Sequence, residues 1–213
     1  AAAQDTGHVL VRSVEGVDLA RYAGRWHEVA RFPNRFQTKC LAETTANYEL
    51  LSNGQIRVVN TCRQADGKLT RAEGRAKLAR RGGPTSQLKV RFAPKILSFL
   101  SMVWGNYWIL DLTEDYGAAL VGDPSREYLW VLSRTPELDE QVYRRLVATA
   151  KAQGFDVARL TRLRARPEAR LSMRLARLST QPRARRARPG MRRGARLTRL
   201  RARLRARPTR VGS

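Results

Sequence analysis

Acids, histidines and cysteines are scarce in this chain, and long apolar runs are missing. Its 213 residues carry 18 Asp and Glu against 42 Lys and Arg, for a net charge of +24. His8 and His27 are the only histidines, and Cys40 and Cys62 the only cysteines. So few leave no Ser/His/Asp or Cys/His constellation and no complete metal-ligand set. No Gly-rich phosphate loop is present either, so catalysis, cofactor and metal are not expected. No apolar run reaches the roughly 18 residues that a membrane-spanning helix needs. The first residues, Ala1-Ala2-Ala3-Gln4-Asp5, lack the basic and apolar regions of a signal peptide. No cysteine near them offers a lipid anchor.

The charge is unevenly spread. Residues 162–213 hold 19 Arg and a single acid, Glu168, which leaves +6 on the first 161 residues. This last stretch has no aromatic residue and little to bury, so disorder is its expected state. The chain therefore divides into a flexible start at 1–13, a domain at 14–161 long enough for a real core, and an Arg-rich tail at 162–213.

Within the domain the dominant signal is short alternation. Asp18 caps a helical turn that Gly24 stops. Trp26, Glu28, Ala30 and Phe32 share one face of a strand over 25–32, with His27, Val29 and Arg31 on the other. Strands at 42–51 and 55–63 flank Asn53-Gly54, a strong hairpin signal. Further strands fit 69–79, 86–93, 105–112, 116–122 and 127–134, separated by turn residues such as Gly82-Gly83-Pro84 and Gly122-Asp123-Pro124. Thr135 caps a helix with Pro136 in its first turn, and Leu138, Val142, Leu146 and Ala150 make its apolar face. Phe155 to Leu160 adds a short ninth strand. The fold class is all-β with one helix packed outside: eight strands at this spacing fit an up-and-down antiparallel barrel better than a sandwich, though spacing alone does not separate the two.

Three segments carry a resemblance to a known family. Gly24-Arg25-Trp26, Asp115-Tyr116-Gly117-Ala118-Ala119-Leu120-Val121 and the run from Tyr128 to Pro136 resemble the signature regions of lipocalins. The wording around them is similar to that of bacterial outer-membrane lipocalins and apolipoprotein D, over roughly 14–160. The resemblance implies a barrel closed at one end and open at the other, binding fatty acids or lysophospholipids in the bacterial cell envelope. It implies that Trp26 plugs the closed end with Arg134 across its indole, a favourable cation–π arrangement. Soluble periplasmic and outer-membrane-anchored forms both stay open. Cys40 and Cys62 share the inward parity of their hairpin, and in an envelope-type domain the pair favours a disulfide. That pairing would exclude a thiol-dependent isomerase, a rarer activity among lipocalin relatives.

Alternate connections lie at the open end: 33–41, 64–69, 94–103 and 122–126. The third, with Phe99, Met102 and then Trp104, is apolar for a connection and reads as a greasy lip around the entrance. Inward-facing sets would line a pocket widened by Ala46, Gly74 and Ala76. The candidate ligand contacts are Glu28, Phe32, Phe36, Ala46, Tyr48, Val58, Phe92, Phe99, Met102, Trp104, Tyr107 and Tyr128. Glu28, if buried, needs a partner, and Arg57, Asn60, Tyr107 or a ligand head group are the candidates. Lys39, Lys95 and Arg126 sit on mouth loops and could meet a carboxylate or phosphate head.

The expected function is a binding module for fatty acid or lysophospholipid. The alternative gives the tail the active role, associating by charge with an anionic membrane surface or nucleic acid while the barrel serves as scaffold. Nucleic acid is disfavoured, because no aromatics are interleaved for base stacking. The tail's vocabulary of Arg, Ala, Leu and Pro equally fits read-through of GC-rich DNA in another frame. A homodimer is left open.

Overall fold

The structure is a computed structural model, and it describes residues 9–92 and 104–163. Phe99, Met102, Lys95 and the tail beyond 163 lie outside the described residues.

A four-residue helix, α1 (Leu19–Tyr22), leads into eight strands: β1 (Gly24–Arg31), β2 (Ala42–Leu50), β3 (Ile56–Arg63), β4 (Leu69–Leu78), β5 (Gln87–Arg91), β6 (Gly105–Leu112), β7 (Ala118–Gly122) and β8 (Leu129–Ser133). Each pairs antiparallel with the next, and β1 pairs with both β8 and β2. The sheet is thus closed into a barrel with no free edge. Helix α2 (Glu140–Ala152), a 3-10 turn (Val157–Arg159) and a two-residue strand β9 (Thr161–Arg162) follow. The expected ninth strand over 155–160 is instead that turn, and pairing with β1 comes only at 161–162.

Two apolar clusters divide the burial. One fills the lower barrel around Trp26, Ile56, Ile109 and Leu132. The other, with Phe32, Leu110, Leu120, Val131, Leu146 and Phe155, lies between the barrel wall and α2. Strand β7 feeds both, Ala119 and Val121 inward and Ala118 and Leu120 outward, and is buried along its whole length. The helix starts later than expected. Asp139, not Thr135, is the cap, and its carboxylate accepts from Gln141 N and Val142 N. Arg145 and Thr149 of α2 then hold Asp111 on the barrel's outer face.

A bulge in β1 sets the inner surface. Glu28 lies opposite Leu132 and Ala30 opposite Val131, so Val29 is the extra residue. One inserted residue flips every later side chain to the other face. Arg31 therefore turns inward, while Phe32 leaves the interior and packs on Phe155 under the helix segment. The parity expected for both is corrected.

Candidate functional site

The closed end is built around Trp26, which is fully buried and donates its indole N–H to the Tyr22 carbonyl at 2.8 Å. The Arg134 guanidinium lies 4.0 Å from the indole ring centre. It also donates to the carbonyls of Arg21 (2.7 Å), Arg25 (3.0 Å), Tyr22 and Tyr116. One side chain thus ties helix α1, β1 and the β6–β7 turn together. Gly24 adopts φ +95°, which glycine tolerates best, and a Cβ there would sit 3.2 Å from the Arg134 guanidinium.

Above this floor the barrel encloses a cavity of about 1070 Å³. Its lower wall is apolar, with Ala46, Val58, Ala76, Leu88, Val90 and Leu132. Tyr48 and Tyr107 stand on opposite walls near the floor, and Trp130 and Tyr128 stack at 5.8 Å toward the mouth. Of the sequence candidates, Glu28, Phe36, Ala46, Tyr48, Val58, Phe92, Trp104, Tyr107 and Tyr128 all line this cavity. Phe32 does not, for the reason of the bulge. Gly74 does not widen the pocket either. A Cβ at Gly74 would meet the Arg91 carbonyl at 2.5 Å and the Phe92 ring at 2.8 Å, so its space is already taken by β5.

Glu28 is buried, and both its oxygens are answered by the protein. Arg31 Nη1 donates to Oε2 at 3.0 Å and Gln37 Nε2 to Oε1 at 2.6 Å. The partners considered from sequence are not used. Arg57 lies on the outer face, paired with Glu73 and Glu49, and neither Asn60 nor Tyr107 bonds Glu28. Burial pushes the Glu28 carboxyl above its usual range, and Arg31 and Gln37 oppose that shift without cancelling it. Arg31 also donates to the Cys40 carbonyl at 2.6 Å and to Thr44 Oγ1. Gln37 Oε1 in turn accepts from Asn34 Nδ2 and Trp130 Nε1.

The first mouth loop is therefore laced to the wall by a buried ion pair at one point. At another, the Cys40–Cys62 disulfide joins it to β3, with the two Cα atoms 5.4 Å apart. Sequence reasoning missed Arg31 and Gln37, because one depends on a bulge and the other on a loop path. Lys39 lines the mouth. Arg126 is not among the residues lining the cavity: its guanidinium caps the end of α2 through the Gln153 carbonyl and bonds the Val9 carbonyl. Exposed Phe36, Leu41 and Phe92 stand around the entrance. Among the described residues no cluster of His, Cys, Asp or Glu could hold a metal ion, and no helix is long and apolar enough to cross a membrane.

Comparison with known proteins places this geometry. The lipocalin-like domain model matches residues 17–165. Temperature-induced lipocalin-1 of Arabidopsis thaliana is 43% identical over 148 residues, covering 69% of this chain and 78% of the relative. The outer membrane lipoprotein Blc of Escherichia coli K12 is 39% identical over 150 residues, 70% of this chain and 80% of Blc. Apolipoprotein D of Rattus norvegicus is 32% identical over 155 residues, 69% of this chain and 76% of its own. Among solved structures, insecticyanin from the tobacco hornworm Manduca sexta superposes with a TM-score of 0.59 at 20% identity, covering 75% of this chain and 86% of its own. That likeness speaks to the fold alone.

Proposed function

The chain belongs to the lipocalin family, and from that membership we propose that its barrel binds, stores or carries fatty acids or lysophospholipids. The observation that carries the proposal is the cavity itself. It is open at one end, largely apolar below the mouth, and of a size suited to a small hydrophobic molecule. Burying an acyl chain there contributes roughly 0.8 kcal/mol per CH₂. Lys39 at the mouth supplies a cation where a carboxylate or phosphate head would remain in water. Glu28 is not a head-group contact in this reading, since Arg31 and Gln37 already hold it; it shapes the entrance instead. Similarity to proteins named as outer membrane lipoproteins supports a setting in the bacterial cell envelope.

The test is a titration of the delipidated full chain with a fluorescent fatty acid, competed by lysophospholipid, at low and at high salt. The expected result is saturable binding of about micromolar affinity or tighter, displaced by lysophospholipid. Affinity should change little with salt, because apolar burial is not screened. Binding that disappears at high salt would assign the lipid to the basic tail. No binding by a chain that circular dichroism shows folded would overturn the carrier reading.

A further inference from the structure

The cavity floor carries a hydrogen-bond donor that no group among the described residues uses. Tyr107 Oη lies 2.8 Å from Tyr22 Oη and 2.9 Å from Tyr48 Oη. Three hydroxyls bring three protons, and two contacts consume two of them. If Tyr107 donated to Tyr22, the Tyr22 proton would be stranded, for Tyr22 is almost wholly buried and its hydroxyl has no other partner among the described residues. A stranded buried donor is costly. The spare O–H therefore rests on Tyr107 or Tyr48, and both line the cavity.

The charge state of this floor narrows what it can receive. Burial pushes all three phenols above their usual range, so each stays a neutral donor. Among the described residues no cation hydrogen-bonds these hydroxyls; Arg31 is held by Glu28, and Arg134 by the backbone beneath Trp26. A carboxylate set among neutral hydroxyls would lose its hydration with no ion pair in return, which is costly. A neutral acceptor would not. One inward step nearer the mouth than Val58, which lies opposite Tyr48, Asn60 faces Ala46 and Ala72. Its buried Oδ1 has no hydrogen-bond partner among the described residues. A hydroxyl group accepts from a tyrosine and still has a proton for such an acceptor; a methyl end satisfies neither.

We propose that the cavity selects apolar chains with a neutral hydroxyl at the inner end, the tyrosine floor donating to it and Asn60 accepting from it. The inference rests on the carrier reading and deepens it: the favoured fatty acid is one hydroxylated near its tail, with its carboxylate left at the mouth.

The test displaces a fluorescent fatty acid from the full chain with two series of increasing length, plain fatty acids and their ω-hydroxy counterparts. In a merely greasy barrel the hydroxy acid binds more weakly at every length, because its hydroxyl is desolvated without return. Here the order should invert at the length that reaches the floor, by roughly tenfold. The double variant Tyr48→Phe/Tyr107→Phe, which leaves neither cavity-lining tyrosine with a hydroxyl, and Asn60→Val should each reduce that inversion while still binding plain acids. The ratio of two ligands on one variant is insensitive to a shared loss of stability. Should the double variant fail to fold, Asn60→Val carries the test by the same ratio. Weaker hydroxy acids at every length, or an inversion untouched by all the variants, overturns the inference and leaves the carrier reading standing. Failure of the probe to bind at all overturns both.

Discussion

Arg31 shows how much of this site turns on one side chain. It neutralises Glu28, anchors the Cys40 carbonyl and reaches Thr44, all in a place where an unpaired charge is expensive. Replacing it with methionine leaves Glu28 buried with only Gln37 for support. The expected cost at neutral pH is about 3 kcal/mol. Its pH dependence has a definite sign. Glu28 binds its proton more tightly folded than unfolded, so its ionisation removes stability as pH rises from the unfolded value of about 4.3 through the higher folded one. Losing Arg31 raises the folded value further and steepens that fall. Urea denaturation at pH 5 and pH 7 should show the deficit of Arg31→Met shrinking on acidification; a deficit that grows would contradict the pairing. None of this was legible in the sequence. Alternation placed Glu28 inward correctly, but the bulge at Val29 is a property of the β1–β8 register, and no local residue type announces it.

At the scale of elements, period-two alternation, Asn53-Gly54 and the other turn residues placed all eight strands to within a few residues. Strand content was legible because each signal is local. The start of α2 was not, because two good caps compete: Thr135 precedes Pro136, while Asp139 captures the backbone N–H groups. The pocket was legible in part. Ala46 and Ala76 do line it, but Gly74 marks a close crossing of β4 and β5, a meaning that a single sequence cannot separate from a widened wall. Gly74→Val makes that meaning testable, since the added side chain meets the Arg91 carbonyl and the Phe92 ring. We expect about 2 kcal/mol of destabilisation in chemical denaturation. Unchanged stability would mean that β5 is free to move away. The mouth loop combines both kinds of information: its disulfide was foreseen from two cysteines on one parity, whereas its lacing through Gln37 required the folded path of the loop.

For the molecule as a whole, closure of the sheet and the outer helix sort apolar residues into two clusters, and the space left between the inner one and the mouth becomes the cavity. The buried cluster beneath α2 backs the wall, and the Trp26–Arg134 assembly seals the floor. The central claim is that a lipid occupies this interior. Ala76→Trp tests it most directly, by placing an indole from β4 into the cavity of the full chain. The account predicts fatty-acid affinity weakened at least about tenfold, with the thermal midpoint and circular dichroism retained. Undiminished affinity in a folded Ala76→Trp chain would contradict it, because the ligand would then have to bind somewhere other than the barrel.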